Sequence, residues 1–291
     1  MLIATVKTRL FLLVIVHMLI VSACGQSAKM NPGEDIVQSS RADTLSFYSN
    51  TLTKIVKVIV YRPGISLGED AERCPVVYLL HGAYGDYRQW PTLRPDLNLL
   101  ADRYGVFFVC PDAGNSWYID SPVIADSKYE TFIISDLVSY IDRKYPTKPY
   151  KSGRAITGLS MGGHGAMYLA MRHSDMFGAA GSMSGALDYR PYEVLDHMMV
   201  PLLGPKTNTD NWNNYTAIAQ IGRIKDGDLA LILDCGTEDF ILQSTKDFHQ
   251  ALDAAGIKHN YDLRPGSHEN AFWRDALDYH LRFISIYFNH N

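Results

Sequence analysis

The chain has 291 residues, 47% of them hydrophobic and 20% charged, the make-up of an ordinary globular protein with room for one large α/β domain. Its formal net charge is −4 and its basic residues fall in scattered pairs such as Arg143-Lys144, so no cationic surface for nucleic acid is expected. The four cysteines, at positions 24, 74, 110 and 235, form no CxxC pair and no Cys/His cluster with zinc spacing, so neither a disulfide framework nor a structural metal is signalled.

Lys7 and Arg9 precede the apolar run Leu10 to Val21, which His17 alone interrupts. The run has the length of a signal-sequence core and is too short to span a bilayer. It ends in Val21-Ser22-Ala23-Cys24, which resembles the lipobox of bacterial lipoproteins: small residues before a cleavage point, then a cysteine whose thiol takes the lipid. The expectation is a lipoprotein signal peptide at 1–23, export, and attachment to a bacterial membrane only through lipid on Cys24, at the periplasmic side or the cell surface. Gly25 to Arg41 is polar, carries Pro32 and Gly33 and has no periodicity, so 24–41 reads as a flexible tether and 42–291 as the folded domain.

Thr44 to Leu52 and Lys54 to Val60 alternate polar and apolar residues, as half-buried strands do, and Arg62-Pro63-Gly64 ends the second; they predict an antiparallel entry into a sheet. The continuous apolar runs Pro75 to Leu80, Val106 to Cys110, Ala155 to Gly158, Ala179 to Met183 and Leu229 to Asp234 fit strands buried on both faces of a parallel sheet. Helical spacing appears between them: Thr131 to Tyr145 sets Phe132, Ile133, Leu137, Tyr140 and Ile141 on one face, and Phe240 to Ala255 and the aromatic-rich Glu269 to Asn289 follow. The expected fold class is therefore α/β, a mostly parallel central sheet with helices on both faces. Leu187 to Asp228, with Pro191, Pro201, Pro205 and the polar run Asn208 to Asn214, is expected to form an irregular insertion near the site.

The chemistry concentrates in Thr157-Gly158-Leu159-Ser160-Met161-Gly162-Gly163. An apolar strand running through Gly-x-Ser-x-Gly into a helical segment is the context of a nucleophile elbow, whose tight turn admits only small residues two before and two after the serine. A serine hydroxyl needs an adjacent base, and the base needs a third group to orient it. After the strand ending at Asp234, Cys235 to Phe240 offers a carboxylate at the strand's C-terminal end, Asp239 being the choice and Glu238 the reserve; Asp234 itself reads as structural. Of the histidines that follow, His268 lies in a loop between the predicted strand Asn260 to Leu263 and the last helix, where an imidazole can reach Ser160. His249 and His280 fall on helical patterns, His259 stands at the wrong end of its strand, and His290 is terminal. The oxyanion of a tetrahedral intermediate needs two backbone N–H donors. Met161 is one; the other comes from the loop after Leu80-His81-Gly82, Ala83 first and Tyr84 next, with His81 a structural residue of that turn.

These residues resemble the esterase branch of the α/β hydrolases that contains S-formylglutathione hydrolase, the bacterial feruloyl and acetyl-xylan esterases and the mycolyltransferases. The likeness runs from about Phe47 to Phe288 through Tyr78 to Gly82, Asn115 to Tyr118, Tyr129-Glu130, Gly158 to Gly163, Cys235 to Asp239 and Gly266 to His268. The resemblance implies an α/β-hydrolase fold and a serine carboxylesterase with Ser160, Asp239 and His268 as triad and Ala83 and Met161 as oxyanion donors. It implies no cofactor, and a substrate that is a small-molecule or polysaccharide ester. Transfer of the acyl group to a sugar, as by the mycolyltransferases, and a non-catalytic lipoprotein that binds a glycan or partner are the alternatives. Tyr84, Trp117 and Tyr118, with Trp90 and Trp212, are candidates to stack an aryl or sugar ring.

Overall fold

In the computed structural model, which describes residues 41–68 and 73–290, Ala42–Ser49 (β1) and Lys54–Tyr61 (β2) pair antiparallel, Ala42 facing Tyr61 and Ser49 facing Lys54. The expected signal peptide, Cys24 and the tether up to residue 40 lie outside the described residues. The apolar runs become Val76–Leu80 (β3), Phe107–Pro111 (β4), Arg154–Leu159 (β5), Ala179–Met183 (β6), Ala230–Gly236 (β7) and Asn260–Arg264 (β8). One sheet of eight strands results, in the order β1-β2-β4-β3-β5-β6-β7-β8. β2 meets β4 antiparallel, and every later pair is parallel.

Side-chain alternation explains the unbroken apolar runs. Val76, Tyr78 and Leu80 enter one core while Val77 and Leu79 enter the other, and all five are fully buried. A strand covered on both faces has no polar phase to show. The first core takes Met161–Arg172, the helix after the elbow, together with Leu242–Ala254. The second takes Leu97–Tyr104 and Asn270–His290. In chain order the α-helices are Gln89–Leu93 (α1), Leu97–Tyr104 (α2), Tyr129–Thr131 (α3), Val138–Lys144 (α4), Met161–Arg172 (α5), Asp196–Leu203 (α6), Thr209–Asn214 (α7), Leu242–Ala254 (α8) and Asn270–His290 (α9). The helix expected over Thr131 to Tyr145 is α3 and α4 joined through a π-helical stretch at Phe132–Leu137, which widens the turn without breaking the buried face of Phe132, Ile133, Leu137 and Ile141.

The stretch 187–228, expected to be irregular, is instead folded into short helices, α6 and α7 among them, with Pro201 inside α6. Its polar run is helical because Asn208 caps α7, its side chain accepting from the Asn211 N–H, while Trp212 is buried beneath. A helix of six residues is too short to display a 3.6-residue period, which is why α1 and α7 do not show as patterns.

α9 buries Phe272, Trp273, Ala276, Leu277, Leu281 and Ile284 in one stripe, and His280 lies in that stripe too, wholly buried. Gly181 of β6 leaves the room for its ring, and Nδ1 is 2.8 Å from Thr157 Oγ1. Burial lowers the His280 pKa to about 3 and that of His164 on α5 to about 4, so both imidazoles are neutral in the folded state. A base whose folded pKa lies below its unfolded value of 6.5 contributes stability that is complete above that pH and is lost as the pH falls below it. Urea unfolding of the wild type should therefore weaken between pH 6.5 and pH 4.5, and His280→Asn should flatten that dependence by up to about 1.4 kcal/mol per pH unit; an unchanged slope in the variant would remove His280 from the account.

Candidate active site

β5 ends in a turn that only this glycine pattern permits. Ser160 has φ 53° and ψ −119°, a conformation an L-residue holds only when its surroundings impose it. A Cβ on Gly158 would stand 2.5 Å from the Gly162 carbonyl oxygen, and one on Gly162 would stand 2.6 Å from that of His81. The two glycines thus let β3, β5 and α5 close on one another, and Ser160 is left half-buried at the N-terminus of α5.

The structure brings Asp239 and His268 to that serine. His268 Nε2 lies 2.9 Å from Ser160 Oγ, and its Nδ1 lies 3.0 Å from each Asp239 carboxylate oxygen. Asp239 has a fully buried side chain and also accepts the Ile241 N–H at 2.9 Å. Glu238, the reserve, is exposed and does not touch His268. With Nδ1–H donated to Asp239, His268 presents an unprotonated Nε2 to the hydroxyl, the state of a base ready to take its proton. Asp234 is structural, paired with Arg264 across β7 and β8. The remaining later histidines lie elsewhere: His280 in the second core, His249 and His259 against each other, and His290 exposed at the end of α9.

Around Ala83, hydrogen bonds hold the backbone on both sides. Trp90 Nε1 donates to the Leu80 carbonyl oxygen, Tyr118 hydroxyl to that of His81, Gly82 N–H to Gln89 Oε1 and Tyr84 N–H to Asn115 Oδ1, all within 2.7–2.9 Å. His81 Nε2 accepts the Ala113 N–H, so its Nδ1–H donates to the Gly82 carbonyl oxygen at 2.8 Å. Burial holds the His81 pKa below the ordinary value, which keeps that tautomer neutral. The Ala83 N–H has no acceptor among the described residues. Met161, first residue of α5, likewise has an N–H with no acceptor in its own helix. Gly82 packs on Ser160, since a Cβ there would be 3.5 Å from that of the serine.

The aromatic candidates need correction. Trp117 is 1% exposed and Tyr118 0%, and Trp90 and Trp212 are also buried, so none of the four presents a face to a ring from solvent. Trp117 and Tyr118 take positive φ angles and prop the loops from within, which is the role of the Asn115 to Tyr118 motif. Tyr84 alone of the five is open, 72% exposed, with its hydroxyl 2.8 Å from His197 Nε2. The sequence reading passes over Phe240, which is 51% exposed and meets the His268 ring at 4.7 Å between centroids; Trp273 meets its other side at 4.9 Å. An apolar residue directly after the acid, in a loop and not in a buried period, is the signal for Phe240.

With this geometry in hand, the chain was compared with known proteins. The profile of the Esterase family, described as “Putative esterase”, matches residues 49–284. An acetyl esterase of Caldicellulosiruptor saccharolyticus is 24% identical over 256 residues, covering 80% of this chain and 94% of that protein. A diacylglycerol acyltransferase/mycolyltransferase of Mycobacterium gordonae is 28% identical over 243 residues, covering 68% of this chain and 69% of that protein. Among solved structures a ferulic acid esterase is 29% identical with a TM-score of 0.73, covering 85% of this chain and 98% of that one; its likeness carries the α/β-hydrolase fold.

A fluorophosphonate, which phosphonylates an activated serine, should label the protein at Ser160, read by mass spectrometry of the modified peptide. Ser160→Ala should abolish the label and Asp239→Asn should slow its appearance by about 10⁴-fold, while Glu238→Gln leaves it unaltered. Labelling that proceeds at the wild-type rate in Asp239→Asn would exclude Asp239 as the orienting acid.

Proposed function

The chain belongs to the esterase family of α/β hydrolases, and from that premise we propose that it is an exported serine carboxylesterase acting on feruloyl or acetyl esters of small molecules or glycans. The observation that carries this reading is a serine hydroxyl 2.9 Å from a carboxylate-held imidazole, next to the acceptorless Ala83 N–H and the first N–H of α5. In the proposed reaction His268 Nε2 takes the Ser160 proton as Oγ attacks the ester carbonyl carbon. The oxyanion forms between the Ala83 and Met161 N–H groups. Collapse expels the alcohol, which receives the proton from His268, and leaves an acyl-serine. Water, deprotonated by the same imidazole, then releases the acid. Asp239 remains ionised throughout and holds the ring in the tautomer that keeps Nε2 free.

The substrate class rests on the rim and on the relatives. Phe240 sits beside His268 with an exposed ring, a surface for a flat acyl group such as a cinnamoyl, and Tyr84 stands above the Ala83 donor. The acetyl esterase and the ferulic acid esterase agree with that class. Cys24 is proposed as the lipid acceptor that ties the enzyme to the membrane.

A panel of short nitrophenyl esters, methyl ferulate and acetylated xylan tests the reading. Hydrolysis of methyl ferulate with kcat/KM above that of nitrophenyl acetate is expected, and Phe240→Ala should lower the ferulate value by roughly tenfold, the worth of one aromatic pair, with nitrophenyl acetate little changed. Equal losses on both esters would remove Phe240 from acyl recognition. Acyl groups appearing on an added sugar instead of in water would favour the acyltransferase reading, which the mycobacterial relative motivates. For the anchor, the mature protein's first residue should be a lipid-modified Cys24, and Cys24→Ser should release the enzyme from membranes.

A further inference from the structure

At the end of the sheet opposite Ser160, the last turns of α8 and the approach to β8 gather three ligand-type side chains. His249 and Asp253 stand one turn apart on α8, and His259 immediately precedes β8. One ligand atom from each lies within 4.8 Å of the other two. We propose that His249, Asp253 and His259 form a binding site for one divalent transition-metal ion of the zinc class, independent of the serine site.

His259 Nδ1 is 2.8 Å from the Ile257 carbonyl oxygen, so that nitrogen donates and Nε2 carries the lone pair. A backbone carbonyl holding the far nitrogen in this way is how metal-binding histidines are oriented. Nε2 accepts the hydrogen of His249 Nδ1, 2.7 Å away, and a metal ion entering between the two nitrogens would displace that hydrogen as a proton. Asp253 faces the other nitrogen of His249 at 3.4 Å, and its carboxylate, on the last turn of α8, must swing toward the pair to complete the set of three. The His249 ring lies flat on Tyr261, centroids 3.9 Å apart and planes 11° from parallel, so its orientation is set by packing. Two ligands about 2.05 Å from a tetrahedral ion stand about 3.3 Å apart, so admitting the ion in place of the proton asks only a few tenths of an ångström from each ring.

Two imidazoles with one carboxylate suit zinc and its neighbours, whereas calcium and magnesium take oxygen-rich sets. A hollow of about 400 Å³, lined by these residues with Gly256, Ile257 and Lys258, opens beside them and leaves room for water to complete the coordination. The ammonium of Lys258, which also lines the hollow, is paired with Asp226 at 3.2 Å. A bound ion would staple the end of α8 to the start of β8. Those elements carry Asp239 and His268 at their other ends.

The test uses the whole protein, stripped with EDTA and desalted, then titrated with zinc chloride by calorimetry and melted with and without the metal. One equivalent should bind, the melting midpoint should rise by about 4 °C, calcium chloride should do neither, and ester hydrolysis should be unchanged. His259→Gln and Asp253→Asn should each weaken zinc binding by roughly tenfold or more while leaving the metal-free midpoint where it was. No saturable binding would overturn the site. So would binding that survives both substitutions, and zinc inhibition of hydrolysis in His259→Gln would identify His268 as the group it occupies instead.

Discussion

The constraint on which everything else rests is the backbone of Ser160. A serine at φ 53° is held there only because Gly158 and Gly162 let β3, β5 and α5 approach to distances that no side chain would allow. Once that turn is imposed, the hydroxyl stands at the C-terminal edge of a parallel sheet. β3, β5, β7 and β8 run the same way, so the loops that follow them open on that same edge. Ala83, Ser160, Asp239 and His268 come one from each of those loops. Convergence of this kind is a property of parallel strands, whose C-terminal ends share one side of the molecule.

Most of the buried polar chemistry serves to hold these loops without adding charge to them. His81 is neutral and joins the loop after β3 to the loop after β4 through Nε2, which accepts the Ala113 N–H, while its Nδ1–H braces its own loop at Gly82. His164 and His280 are neutral under α5 and α9. Where charge is buried it is paired. Burial would raise the Glu130 carboxyl, but hydrogen bonds from His173 and Arg172 more than reverse this and hold it below the usual carboxylate value, tying α3 to the far end of α5. Removing either partner would leave a charge in low dielectric, which is far more destabilising than the pair is stabilising.

The surface of the site divides in the same way. The interior aromatics, Trp117, Tyr118 and Trp90, are structural because each has its polar atom or ring turned inward, while Phe240, beside His268, and Tyr84, next to Ala83 in the chain, keep open faces. The rigid half holds Ser160 and His268 in contact, and the open half faces solvent. A change of acyl preference is thus accessible by substituting exposed residues that carry no load in the fold.

The strands and the long helices were legible because their residues obey a period: β3 and β4 as unbroken apolar runs, α9 as an apolar stripe with i, i+4 spacing. Ser160 was legible because the elbow is a local steric problem with one local solution, Gly two before and Gly two after. Asp239 and His268 were narrowed by position at strand ends, and contact with His268 then separated Asp239 from its neighbour Glu238. The helices of 187–228 were not legible, since six or eight residues cannot display a helical period and the Asn208 cap looks like a loop. Nor was the inward turn of Trp117 and Tyr118, because an aromatic side chain reads alike whether it faces a core or a cleft. What the sequence determined by itself is therefore what depends on near neighbours in the chain: periodicity, turn sterics and order. What the tertiary structure alone decided is which distant groups share a contact and which faces reach solvent, because burial and hydrogen bonding are set by residues a hundred positions away.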